Sequence, residues 1–107
     1  MLTDQQIQEA ANRIAIALKP KKIILFGSYA RGDATEDSDL DLMVIEPTTV
    51  KNELQSMIIG QDAVGFMGMG VDVLVYDEQT FEHRKNWYSS PIHWANAEGK
   101  VLYEDKH

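Results

Sequence analysis

No cysteine occurs in this chain of 107 residues, which excludes a disulfide framework, a thiol nucleophile and a cysteine-ligated metal. Basic residues are scarce beside acidic ones, 10 against 17, and the formal charge of −7 argues against a nucleic-acid ligand, whose phosphates are held by clustered lysine and arginine. The longest basic cluster, Lys19-Pro20-Lys21-Lys22, reads as a solvated connection ahead of a strand. A basic partner protein would instead be favoured electrostatically. No apolar run is long enough to span a membrane and no secretory signal is visible at Met1-Leu2-Thr3-Asp4, so a cytoplasmic protein is expected. Repeats, low-complexity tracts and linkers are also missing, and the length suits one domain over residues 1–107 with a modest core.

The patterns that are present predict a mixed α/β sheet flanked by helices. Thr3 and Gln6 form a capping box, and Ile7, Ala11, Ile14 and Leu18 recur at helical spacing, giving an amphipathic helix that ends before Pro20 and covers one sheet face. Ile23 to Phe26 reads as a buried strand that reaches a tight turn at Gly27. Residues 39–45 alternate and then run apolar, as a strand does. A short helix is expected over 50–59, and residues 60–70, with four glycines, read as a loop in which Met67 and Met69 suit irregular core gaps better than a mobile lid. Residues 70–76 form a third strand. Helices are then expected over 80–88 and 91–97, the second capped by Ser89 or Ser90 and closed by Gly99. Trp87, Tyr88 and Trp94 are expected to pack these helices onto the sheet; left exposed, they would anchor a partner surface. His83 and His93 lack metal-ligand spacing, and His107 reads as a frayed terminus.

The chemistry lies between Gly27 and Met43, in GSYARGDATEDSDLDLM. Gly27 allows close backbone approach to a ligand, and the Ser28 hydroxyl with free N–H groups of a following helical turn can hold phosphate oxygens. Asp39 and Asp41, one residue apart on a strand, point the same way, and like charges held so need solvent or a cation. A carboxylate pair beside a phosphate cradle suits magnesium, whereas the bland alternative is a solvated acidic strand end. Asp72 interrupts an otherwise apolar strand, where an unpaired buried carboxylate would be costly. Should that strand lie beside the 39–45 strand, Asp72 completes a three-carboxylate cluster able to hold two ions and accept a proton. Asp77 competes for this role, but an N-cap for the next helix explains it. Arg31, three residues past Ser28, could reach a phosphate or pair with Asp33 or Asp37.

Gly-Ser, ten residues, then Asp-x-Asp resembles the motif of the minimal nucleotidyltransferases of the DNA polymerase beta superfamily, including the antitoxins of HEPN/MNT toxin-antitoxin systems. The resemblance runs from about Lys22 to Ile45, resumes at Asp72 and extends loosely to residues 98–104. It implies a polymerase beta-like fold, with Gly27 and Ser28 on the triphosphate and Asp39, Asp41 and Asp72 as the catalytic, magnesium-binding acids. It further implies two Mg2+ ions, ATP as donor, and transfer of AMP to a hydroxyl, with a tyrosine of a HEPN-type toxin as the leading acceptor. Larger members carry additional acceptor-binding domains. Their counterpart here would be a partner chain, a second copy of this one, or the substrate's own bulk. A non-catalytic antitoxin that acts by binding, and a nucleotidyltransferase that modifies an antibiotic, are the alternatives.

Overall fold

A computed structural model describes residues 1–47, 52–65 and 70–105. The chain builds α1 (Asp4–Leu18), β1 (Lys22–Phe26), α2 (Ser28–Arg31), β2 (Leu40–Glu46), α3 (Glu53–Val64), β3 (Val71–Asp77), α4 (Glu78–Arg84), α5 (Pro91–Glu98) and β4 (Lys100–Glu104). The strands form one mixed sheet in the order β3-β2-β1-β4. β1 runs antiparallel to both β2 and β4, while β2 and β3 are parallel and joined by the α3 crossover. No helix among the described residues is long and apolar enough to cross a membrane.

Strand alternation divides the apolar residues between two cores. Ile23, Leu25, Leu42, Val44, Val73 and Val75 face α1 and α3, meeting Ile7, Ala11, Ile14 and Val64 in the larger cluster. Ile24, Met43 and Ile45 face the other way and are covered by Phe81 of α4 and by Ile92 and Ala95 of α5. The sequence expectation for α1 is met: Thr3 caps it through a reciprocal capping box with Gln6, and Lys19 ends it in the left-handed conformation ahead of Pro20.

Three expectations are corrected. α3 starts after an Asn52 cap and continues to Val64, beyond the expected 59, so Gly60 lies inside a helix rather than opening a loop. Its missing side chain is what lets the helix close on the sheet, since a Cβ there would stand 3.2 Å from Val73 Cγ1 and 3.4 Å from Leu18 Cδ1. α4 begins earlier and ends earlier than expected. Asp77 caps it through a 2.6 Å bond from Thr80 N–H, and past Arg84 the chain turns, with Trp87 N–H donating to the Arg84 carbonyl and Ser90 N–H to that of Trp87. That turn swings the aromatics outward. Trp87, Tyr88 and Trp94 are 46%, 76% and 45% exposed, and the smaller Phe81, Ile92 and Ala95 do the packing assigned to them. The readings of Met67, Met69 and His107, and the first two residues of the expected 50–59 helix, lie outside the described residues.

Glu46 closes β2 at 3% exposure, paired in the strand register with Asp77. Burial pushes its carboxyl above the usual range, partly offset by a hydrogen bond from Ser56 on α3. A raised folded-state pKa means the ionised acid opposes folding: the penalty is absent where both states are protonated and complete once pH exceeds the folded value. Glu46→Gln is therefore expected to raise stability at neutral pH, with the gain fading as pH falls into the carboxylate range. Denaturant midpoints of both proteins at neutral and acid pH check this, and a gain that grows on acidification would contradict it.

Candidate active site

Phe26 on β1, Asp41 on β2 and Asp72 on β3 stand in one row across three strands, paired Phe26 with Asp41 and Asp41 with Asp72. Strand parity puts all three on the face covered by α4 and α5, one row beyond Ile24, Met43 and Leu74. The parallel β2–β3 register makes the Asp41–Asp72 meeting unavoidable, because Leu40 pairs with Val71 and every later residue follows in step. The condition on Asp72 is thus met.

Asp41 is half-buried, while Asp39 and Asp72 are exposed. Its carboxyl is lifted from 3.8 to about 6, chiefly by burial, then by the charges of Asp72 and Asp39 and a side-chain hydrogen bond with Asp72; the Arg31 guanidinium opposes the rise. Asp39 immediately precedes β2, where Leu40 N–H donates to the Gly70 carbonyl at 2.9 Å. Two glycines make room for these acids. A Cβ on Gly70 would overlap the Asp39 carboxylate, and one on Gly27 would overlap that of Asp41.

Gly27 also needs its own conformational freedom, since it joins β1 to α2 at φ 74°, in the region favouring glycine. Its carbonyl accepts from the N–H groups of Ala30 and Arg31, both at 3.1 Å, closing the first turn of α2, and no side chain caps that helix start. Gly27 therefore sits beside Asp41, with Ser28 next in the chain, so the Gly-Ser turn and the carboxylates read from the sequence share one end of the sheet. Of the readings made of Arg31, the pairing with Asp33 is the one the structure forms. The Arg31 Nε lies 3.3 Å from Asp33 and its Nη1 3.9 Å from Glu98, yet its charge reaches Asp41. The alternative pairing with Asp37 is not the one formed.

A cleft of about 380 Å³ opens over Asp41 and Asp72. Its walls are Phe26, Val73 and Leu74 from the sheet, Met57, Ile58 and Gln61 from α3, and Pro91 at the start of α5. Gln61 bridges to the sheet, donating from Nε2 to the Val71 carbonyl at 2.7 Å, next to Asp72. Sequence reasoning missed this wall because α3 has no polar and apolar sides from which a sheet-facing row could be read.

The donor set fits magnesium: hard carboxylate oxygens from two adjacent strands, with a third acid within electrostatic reach and the Gly27 turn alongside. Among the described residues no three acidic or histidine side chains converge into a complete metal cage, so the geometry is that of a carboxylate pair needing further ligands.

The sequence profile of the nucleotidyltransferase domain family matches residues 7–92. A chain from Methanocaldococcus jannaschii, named a putative protein adenylyltransferase, is 36% identical over 83 residues, or 78% of each chain. A crystal structure of a nucleotidyltransferase, so named provisionally, from Sulfolobus solfataricus superposes with a TM-score of 0.61 at 19% identity, covering 94% of this chain and 78% of that one. A crystal structure of a toxin-antitoxin with AMP-PNP superposes with a TM-score of 0.56 at 22% identity, covering 92% and 74%. At these identities the superpositions establish the fold.

The raised Asp41 carboxyl has a consequence for stability. Between pH about 4 and about 6 the folded chain holds a proton that the unfolded chain has released, so metal-free stability falls through that window. Asp41→Asn removes the penalty and is expected to stabilise the metal-free protein by about 1 kcal/mol at neutral pH, after discounting for screening. Added Mg2+ should raise the melting temperature of the wild type more than that of the variant. Thermal melts in chelator and in Mg2+ measure both effects, and a less stable variant in chelator would count against the strained pair.

Proposed function

We propose that this chain, which belongs to the nucleotidyltransferase domain family, transfers AMP from ATP to a hydroxyl group of a partner protein. The observation that carries the reading is the register pairing of Asp41 with Asp72 beside the Gly27–Ser28 turn. Support for a protein acceptor comes from the protein adenylyltransferase name of the Methanocaldococcus relative, and support for a toxin partner from the toxin-antitoxin neighbour solved with AMP-PNP. The acceptor we assign is a tyrosine of a HEPN-type toxin.

In this reading Gly27, Ser28 and Arg31 orient the triphosphate, and Asp39, Asp41 and Asp72 hold Mg2+. Bound magnesium supplies positive charge against the phosphates and lowers the cost of ionising a hydroxyl. The acceptor oxygen forms a bond to the α-phosphorus while the bond from that phosphorus to the oxygen bridging the β-phosphate breaks. Pyrophosphate leaves with the electron pair, and the hydroxyl proton passes to a carboxylate oxygen at the cleft mouth, where Asp72 is exposed. The apolar walls over Asp41 and Asp72 limit water beside the reacting phosphorus, favouring transfer over hydrolysis.

Incubation with Mg2+ and ATP labelled on either the α- or the γ-phosphate, in lysate from the source organism, tests this. The α-label alone should appear on one protein, with the modified tyrosine located by mass spectrometry. Asp41→Asn should reduce labelling by about 100-fold or more, the scale of losing preorganised charge stabilisation at a reacting centre. Transfer of the γ-label, or full activity in the variant, would overturn the assignment.

A further inference from the structure

Five rings gather where α4 turns into α5. His83 and Trp87 lie 5.3 Å apart between centroids, Tyr88 and His93 4.5 Å, and His93 and Trp94 4.8 Å. Several of their polar edges are engaged within the chain: Trp94 Nε1 donates to the Tyr88 carbonyl at 3.0 Å, and His93 Nδ1 lies 2.9 Å from the Lys85 carbonyl oxygen. Tyr88 is 76% exposed and each tryptophan nearly half. So concentrated an apolar patch on a small protein marks an interaction site.

The charge of the patch runs against that of the chain. No acidic residue lies between Glu82 and Glu98, while His83, Arg84, Lys85 and His93 do, in a protein of formal charge −7; Lys85 is paired with Glu82 at 2.6 Å, so the exposed Arg84 carries the positive charge of the patch. The Arg84 guanidinium stands 5.6 Å from the Trp87 ring centre, joining cation to ring. The patch also adjoins the cleft, because Pro91, which opens α5 just past the turn, forms part of the wall over Asp41 and Asp72.

We infer that the aromatic turn between α4 and α5 is the docking surface for the acceptor protein, and that the acceptor meets it with an apolar face bearing carboxylates. The inference rests on the protein-acceptor reading above and assigns the surface that presents the acceptor to the cleft. Rigid aromatics beside a cation suit anchoring at low entropic cost. A single-stranded nucleic acid would also stack on such rings, but its backbone would be brought against the cleft carboxylates. A second copy of this chain would bring more negative charge to the cleft.

Tyr88→Ser and Arg84→Glu, made separately in the full chain, test the assignment with α-labelled ATP in source lysate. Acceptor labelling should fall about tenfold or more in each, through a higher KM for the acceptor, the scale of losing an interface anchor. Tyr88→Phe should restore it. The rise in melting temperature on adding Mg2+ and ATP to the purified variants should match wild type, showing an intact nucleotide site. Undiminished labelling in both variants would overturn the docking assignment alone. A loss that accompanies conversion of a wild-type dimer to monomer would replace the acceptor with a second copy, and a loss reproduced in wild type by nuclease treatment would replace it with nucleic acid. No labelled protein with the wild type would overturn the transfer reading, and the docking surface with it.

Discussion

Asp41 and Asp72 sit side by side on adjacent parallel strands, and the Asp72 carboxylate adds to the cost of ionising the half-buried Asp41. Such a pair persists only if the surrounding structure holds it in place, and the neighbouring elements do so. Sheet pairing fixes Asp41 between β1 and β3, the bare backbones of Gly27 and Gly70 give the carboxylates of Asp41 and Asp39 their space, and Gln61 ties the start of β3 to α3. The stability given up at this row is recovered in the two apolar cores behind it.

The crossover topology explains why the acids meet at an open end of the sheet. A parallel pair requires a long connection, and α3 provides it while closing on the sheet through Gly60. α3 thus serves both as core helix and as cleft wall. On the opposite face α4 and α5 cover Met43 and Ile45 with Phe81, Ile92 and Ala95 but leave the carboxylate row accessible. Helix α2 is short, and it starts directly after Gly27, the residue that packs against Asp41, without a long excursion of the chain.

Most of the carboxylate site was legible because its signals are local. Gly27-Ser28 and Asp39-x-Asp41 lie within one short stretch, and Asp72 stands out as an acid inside an apolar strand. Helix α1 announced itself through its capping box and spacing. The remainder depended on tertiary context. Gly60 reads as a breaker unless one knows that Val73 and Leu18 press against it. The fate of Trp87 and Tyr88 depended on where α4 ended, and two backbone turns past Arg84 decided that, with no strong punctuation in the sequence to mark them. Arg31 could not be assigned from spacing because its second partner, Glu98, is distant in sequence and comes near only through the fold.

Strand β4 is the last element of the chain, yet it pairs with β1, near the first, and is held there by the Lys22–Glu104 ion pair at 3.3 Å and by Asp105 N–H donating to the Lys21 carbonyl at 2.8 Å. β4 covers the edge of β1 that β2 leaves free, so the strand leading into Gly27 is paired on both sides only when residues 100–104 are in place. Without β4 the backbone of β1 would be bare on that side, beside the strand end from which Gly27 and α2 depart.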